Sequence, residues 1–253
     1  MNYLKLENNR WQKLSLDHTA LAKEKNLSIQ FYKQKVSAGT LPLSKPEAIF
    51  FDMDSTAITT EGMDELAKVY GCGKAVEAIT KKAMEGKIDF ETSFHKRLKL
   101  LTGMSWDLVL ETASKTTITP GFEKICSELN NKNIDIFLIS GGFTPFVNHL
   151  THKVEFKDTM AHSLNVKDGK LTGKHSKVID GQGKVDWIKT QAKKYNFNLA
   201  HCAAVGDGSN DIPMLSLVGI PIGWHPKPKL YPYIEAGLFS VSMEIMLGWL
   251  KEI

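Results

Sequence analysis

The stretch Ala48-Ile49-Phe50-Phe51-Asp52-Met53-Asp54-Ser55-Thr56 decides the fold. Its first four residues form a short, unbroken apolar run. A strand with one wet face alternates apolar and polar residues, whereas a strand covered on both faces of a parallel sheet reads as a continuous run. The run then breaks into two carboxylates one residue apart and two hydroxyls. Such a strand delivers its polar residues to the carboxyl edge of a sheet, where open α/β sheets bind ligands.

Working outward, runs of the same type occur at Ile134 to Ile139 and Cys202 to Val205, with a weaker one at Val218 to Ile222. Helix-length segments separate them: Gly121 to Asn131, Pro145 to His152, Gly183 to Tyr195 and Asn210 to Leu217. Strands alternating with helices predict an α/β fold, an open Rossmann-like and mostly parallel sheet with right-handed crossovers. Residues 59–117 interrupt the alternation with helical patterns at Glu61 to Tyr70, Lys74 to Glu85, Asp89 to Leu101 and Ser105 to Ser114. They read as a helical cap domain inserted after the first core strand, leaving 47–58 and 118–253 as the core. Asn165 to Thr172 reads as a hairpin turning at Asp168-Gly169. Residues 1–46 read as a polar N-terminal extension and linker. They hold a helical pattern near Asp17 to Lys25, an alternating run at Leu27 to Tyr32, the turn-rich Ser37-Ala38-Gly39-Thr40, and Pro42 and Pro46.

Composition narrows the function. The 253 residues are 42% hydrophobic and 24% charged, which fits one or two globular domains. The net charge of +4 comes from 32 basic residues of which only Arg10 and Arg97 are arginine. Nucleic-acid readers lean on the forked guanidinium, and the lysines here are diluted by 28 acids, so no nucleic-acid partner is expected. Cys72, Cys126 and Cys202 make no CxxC pair, which argues against a disulfide framework or a zinc knuckle and for a reducing compartment. The N-terminus lacks an apolar leader core, and no stretch reaches the roughly 18 apolar residues of a membrane span. A cytoplasmic protein with no membrane partner is the expectation.

The residues that follow each apolar run are coherent. After the first stand Asp52 and Asp54; after the second, Ser140-Gly141-Gly142-Phe143-Thr144; after the third, Gly206-Asp207-Gly208-Ser209-Asn210-Asp211. Lys184 opens a helical segment between the last two. Singly, each has a plainer reading. An Asp-x-Asp can end a strand in a turn, Ser140-Gly141-Gly142 can be a tight turn or an N-cap, and Gly, Asn and Asp are favoured in loops for backbone reasons. Together, at three successive strand ends, they point to phosphate. Clustered carboxylates repel one another and desolvate badly unless a hard cation neutralises them, and oxygen donors suit Mg²⁺. A hydroxyl, glycine amides and a lysine are a phosphate-holding set. An Asp beside a metal and a phosphoryl group can attack phosphorus, and a second Asp can trade protons.

Over about residues 48 to 253 the sequence resembles the haloacid-dehalogenase-like phosphohydrolases, through DMDST at 52–56, SGGF at 140–143, Lys184 and GDGSND at 206–211. In the inserted block, Glu61, the Ile79 to Gly86 stretch, Phe90 and Lys96-Arg97-Leu98 resemble the branch of that family acting on O-phospho-L-serine. The resemblance implies that Asp52 is the nucleophile and Asp54 the general acid/base. It implies Mg²⁺ held by Asp52, the Met53 carbonyl and Asp207, with Asp211 supporting that shell. Ser140, Gly141, Gly142 and Lys184 would hold the phosphoryl oxygens, and Asn210 would orient substrate or phosphate. Glu61 would face the substrate's amino group and Arg97 its carboxylate, with Met84 and Phe90 lining the closed cap. The implied activity is hydrolysis of phosphoserine to serine and phosphate through an aspartyl-phosphate, the last step of serine biosynthesis, by a monomer or homodimer. Two alternatives stay open: the same chemistry on another small phosphomonoester or as phosphoryl transfer, and an inactive binding protein on this fold. At residue level, Arg97 can instead be a solvated surface charge, and Met84 and Phe90 can be cap-core packing. The extension is too short for the complete regulatory domain that precedes the catalytic unit in many bacterial relatives. His149 and His152 read as the polar face of a helix, and His225 as a loop residue.

Overall fold

The computed structural model describes residues 45–175 and 179–247, together with the backbone of three earlier strands. Those are β1 (Asn2–Glu7), β2 (Arg10–Leu14) and β3 (Ile29–Tyr32). The helical pattern at Asp17 to Lys25 and the turn-rich Ser37 to Thr40 lie outside the described residues, as does Pro42. The core strands follow as β4 (Ala48–Asp52), β5 (Asp135–Phe143), β6 (Asp158–His162), β7 (Leu164–Lys167), β8 (Lys170–His175), β9 (Ala203–Gly206), β10 (Ile220–Trp224) and β11 (Ala236–Phe239). The helices are α1 (Gly62–Val69), α2 (Gly73–Met84), α3 (Phe90–Leu100), α4 (Trp106–Ser114), α5 (Phe122–Asn131), α6 (Thr144–Thr151), α7 (Gly181–Tyr195) and the single turn α8 (Ile212–Leu215).

The main sheet runs β2-β1-β3-β11-β10-β9-β4-β5-β6. From β11 to β6 every neighbouring pair is parallel, and β3, β1 and β2 continue the sheet antiparallel. The expected parallel α/β sheet is therefore present, with strands the sequence reading did not place. At β6 the residues Asp158-Thr159-Met160-Ala161-His162 form an edge strand that is half-buried until His162, so no apolar run marks it. β11 is only four residues long and follows a proline-rich turn. The extension contributes the three strands β2, β1 and β3 at one end of the sheet instead of serving as a linker alone, and of these only the Leu27 to Tyr32 alternation was a legible signal.

The continuous apolar run of β4 is explained by two cores. Ile49 and Phe51 face one, with Ile136, Leu138 and Val205; Ala48 and Phe50 face the other, with Phe137, Ile139 and Ala204. Phe51 meets Phe122 of α5 edge-on at 5.2 Å, and Phe50 stacks on Phe137 at 4.8 Å. The β4 side chains are at most 2% exposed. At about 1.5–3 kcal/mol per fully buried large apolar side chain, this strand is a main source of core stability.

Between β4 and β5 lie the four helices α1 to α4. Two are started by side chains the sequence supplies: Asp89 accepts from the Thr92 N–H (2.7 Å) and Ser105 from the Leu108 N–H (3.1 Å). The hairpin β7–β8 turns at Asp168 (φ 51°) and Gly169 (φ 70°), the pair of left-handed residues that a two-residue hairpin turn requires. Its backbone is bonded to the helical block, through Gly103 N to Leu171 O, Leu171 N to Met104 O and Trp106 N to Gly169 O, each 2.8 Å.

Gly219 enters β10 with its N–H bonded to Leu199 O at 2.9 Å. A Cβ there would lie 1.8 Å from the Ala200 carbonyl oxygen, a backbone atom unable to rotate away. Gly219→Ala is therefore expected to cost about 3 kcal/mol, read as a lower urea midpoint. An unchanged midpoint would contradict this packing.

Candidate active site

Strand register brings the polar residues together. Asp52 pairs with Ile139, Phe51 with Val205, and Gly206 with Gly223, so β4, β5, β9 and β10 end along one edge. Beyond Asp52 the chain curls back, with Ser55 at φ 55° and bonds from Ile58 N to Met53 O (3.0 Å) and from Ser55 N to Thr60 O (3.2 Å). This turn aims Asp54 at the start of α1, where Gly62 N–H donates to its Oδ1 at 2.7 Å. The Ser140 hydroxyl donates to Asp54 Oδ2 (3.2 Å) and accepts from Gly142 N–H (2.7 Å). A Cβ on Gly142 would stand 2.7 Å from Asp54 Oδ2, so close approach itself demands glycine.

The third loop folds around Asp211. Its Oδ2 accepts from the N–H groups of Asp207 (3.2 Å) and Gly208 (3.3 Å). Its Oδ1 accepts from Asn210 Nδ2 (3.2 Å) and Lys184 Nζ (2.7 Å). Gly206 makes room, since a Cβ there would lie 2.6 Å from Asp211 Oδ2. Lys184, in the first turn of α7 and 2% exposed, also donates to Asp52 Oδ1. Asp207 Oδ2 pairs with Lys227 Nζ at 2.7 Å.

Oxygens of Asp52, Asp207 and Asp211, all buried, lie within 4.8 Å of one another, close enough to share one cation. Among the described residues, the ion pairs of this cluster set the ammonium groups of Lys184 and Lys227 against the three carboxylates of Asp52, Asp207 and Asp211, with Asp54 beside them outside any ion pair. The carboxylates outnumber the ammonium groups, and the oxygen donor set suits a divalent hard cation.

The imbalance shows in protonation. Burial, then the charge of Asp211, pushes Asp52 well above the usual carboxylate range against the pull of Lys184. Burial and Glu61 push Asp54 up to about 7, opposed by the Gly62 N–H and the Ser140 hydroxyl. Burial and Asp211 raise Asp207 to about 6, opposed by Lys227. Burial works against the Lys184 ammonium, but Asp211 and Asp52 outweigh it, so the lysine stays charged.

The remaining residues lie around this centre. Glu61 precedes α1 and its Oε1 accepts from the Ser55 hydroxyl at 2.7 Å. Arg97, on α3, is half-buried, and its charge is felt by Asp64. Its Nε donates to Ser93 O (3.4 Å), and no described carboxylate lies in ion-pair range of its fork. Phe90, 39% exposed, covers the second loop: its Cζ is 4.0 Å from where a Gly141 Cβ would be. Met84 is 72% exposed at the end of α2 and stands outside the buried cluster. Phe90 also stacks on the buried Phe94 of the helical core, ring centroids 6.2 Å apart, whereas Met84 is too exposed for such packing to account for it. Met53 is fully buried, and its carbonyl keeps one lone pair beyond the Ile58 bond. Asn210 is exposed at the mouth. Lys227 was not anticipated, although it follows the fourth apolar run at the same edge, which was the available signal.

The haloacid dehalogenase-like hydrolase profile matches residues 49–216. A phosphoserine phosphatase of Methanocaldococcus jannaschii is 39% identical, the match covering 82% of this chain and 99% of that protein. One from Lactococcus lactis is 37% identical over 72% of this chain and 85% of that one. Among solved structures, a substrate-bound phosphoserine phosphatase complex superposes with TM-score 0.76 at 35% identity, covering 81% of this chain and 99% of that one. A hydrolase of the same family from Salmonella enterica gives TM-score 0.78 at 30% identity, with 84% and 73% covered.

A carboxylate whose pKa is higher folded than unfolded binds an extra proton in the native state, so stability falls as pH rises between the two values. For Asp54 that window runs from its ordinary value of 3.8 to about 7. In chelator-treated protein, unfolding free energy should decline across this window, and Asp54→Asn should flatten the decline. Equal slopes in urea titrations of the two proteins would refute the Asp54 shift.

Proposed function

The chain belongs to the haloacid dehalogenase-like hydrolases, and from that premise we propose that it is a Mg²⁺-dependent phosphatase hydrolysing O-phospho-L-serine. The observation that carries the reading is one tight turn that points two carboxylates at different partners. Asp52 meets the Lys184 ammonium and lies with Asp207 and Asp211, whereas Asp54 takes the Ser140 hydroxyl and the Gly62 N–H.

Mg²⁺ would be held by Asp52, Asp207 and the Met53 carbonyl, with Asp211 behind them, which fits the clustered oxygens and the excess of carboxylates over ammonium groups. When bound, it would neutralise the cluster and withdraw charge from the phosphoryl oxygens. Ser140, the backbone around Gly141 and Gly142, and Lys184 would hold those oxygens when substrate is bound.

Asp52 attacks phosphorus: a P–O bond to its carboxylate forms as the bond to the seryl oxygen breaks, and that oxygen takes the proton from Asp54. Asp54, now ionised, takes a proton from water. The resulting oxygen nucleophile attacks phosphorus, and the P–O bond to Asp52 breaks, releasing phosphate. A pKa near neutrality suits Asp54 to both roles.

The helices α1 to α4 act as a cap that excludes bulk water. Glu61 meets the substrate's ammonium and the Arg97 fork its carboxylate, while Phe90 and Met84 offer exposed apolar surface to the bound molecule, with Asn210 at the phosphate. No described helix is long and apolar enough to cross a membrane, and the three cysteines are free, which supports a cytoplasmic setting.

Phosphate release should be measured over a panel of phosphoserine, phosphothreonine and a simple phosphorylated alcohol, with Mg²⁺ and with chelator. Mg²⁺-dependent preference for phosphoserine is expected, and indifference to the amino and carboxyl groups rejects the substrate assignment. Asp52→Asn should fold and lose turnover by at least about a thousandfold. Arg97→Ala should lose roughly a hundredfold in kcat/KM on phosphoserine but little on the alcohol phosphate; equal losses on both would contradict the role of the fork.

A further inference from the structure

His162 ends β6 at the sheet edge and is fully buried. The Ile179 N–H donates to its Nε2 at 2.6 Å. Nε2 must therefore be the bare nitrogen and Nδ1 must carry the proton. That Nδ1–H faces two carbonyl oxygens, Gly141 O at 2.9 Å and Gly142 O at 3.1 Å. Phe94 packs on the imidazole with ring centroids 4.5 Å apart, which fixes its plane. Burial pulls the ring's pKa down to about 4, so it is neutral near pH 7 and the arrangement is self-consistent.

The two ends of the imidazole touch different segments. In a trans peptide the C=O and the following N–H point in opposite directions. Holding Gly141 C=O toward His162 therefore turns the Gly142 N–H the other way, onto the Ser140 Oγ, where it sits at 2.7 Å. That bond occupies a lone pair of Ser140 and leaves its hydroxyl hydrogen for Asp54. At the other end, Ile179 immediately precedes Asp180, which caps α7 by accepting from Gly183 N–H (2.8 Å). The first turn of α7 carries Lys184, whose N–H bonds to Asp180 O at 3.0 Å.

We infer that His162, in its Nδ1–H tautomer, is a positioning residue that cross-links the Ser140-Gly141-Gly142 loop to the start of the Lys184 helix, holding the two anion-binding segments at a fixed separation. The inference rests on the phosphatase reading, because that reading makes these segments the phosphate site. No residue of the sequence motifs performs this linkage.

The test separates the two contacts. His162→Asn keeps a donor near the Nδ1 position, His162→Gln reaches toward Ile179 instead, and His162→Leu removes both contacts. Binding of inorganic phosphate to the Mg²⁺-loaded proteins is measured by calorimetry, with kcat and KM on p-nitrophenyl phosphate beside it. His162→Leu should weaken phosphate about tenfold, the scale of one lost buried hydrogen bond. His162→Asn should stay within about threefold of the wild type and bind phosphate more tightly than His162→Gln. Wild-type affinity in folded His162→Leu, or equal affinities in the Asn and Gln proteins, would overturn the inference. Should His162→Leu fail to fold, the Asn and Gln comparison decides alone. Nitrogen-15 spectra of the wild type give an independent readout: a protonated Nδ1 is expected, and the opposite tautomer overturns the proposal. Phosphate binding without phosphoserine hydrolysis rejects the substrate reading and leaves this comparison intact, whereas no phosphate binding rejects both.

Discussion

Four carboxylates crowded at one sheet edge, with the two ammonium groups of Lys184 and Lys227 paired into them, are the constraint on which this structure depends. Ions in a low-dielectric site are costly unless paired and fully hydrogen-bonded. Each nearby feature answers that cost. Asp211 is wrapped by the amides of Asp207 and Gly208, and Gly206 lacks the Cβ that would collide with it. Asp54 takes an amide at the head of α1, and Gly142 is small because Asp54 comes so near. What remains uncompensated is an excess of negative charge, which suits a divalent hard cation.

The rest of the fold supplies rigidity for that edge. Parallel register aligns the strand ends, and two apolar cores grip β4 from both faces so that Asp52 cannot drift. The helical block is tied back to the core by backbone bonds from the β7–β8 hairpin. Glu61, Phe90 and Arg97 all come from that block or its entrance, so the groups proposed to read the substrate come from other elements than those proposed to do the chemistry.

Much of this was legible from residue order. The runs at 48–51, 134–139 and 202–205 marked strands because burial on both faces favours apolar residues, Asp135 alone interrupting them at the half-buried start of β5. The polar residues that follow the runs marked the sheet edge at which the carboxylates gather. β6 and β11 were not legible, the first because a half-buried edge strand carries no continuous apolar signal, the second for its brevity. Lys227 and His162 were missed for a different reason. Each acts through a distant partner, Asp207 in one case and the carbonyls of Gly141 and Gly142 in the other, and such pairings exist only once the sheet has formed. Arg97 began as a rarity in a lysine-rich chain, and its half-buried place on α3 gives that rarity a structural setting.

The central claim is that Asp52 becomes covalently phosphorylated while Asp54 only moves protons. Rapid acid quench during phosphoserine turnover, followed by digestion and mass spectrometry of the peptide containing residues 48–56, tests it most directly. The account expects one phosphoryl group on Asp52, transient in the wild type. A phosphoryl group on Ser140 or Asp54 instead, or full turnover with Asp52 never modified, would contradict it.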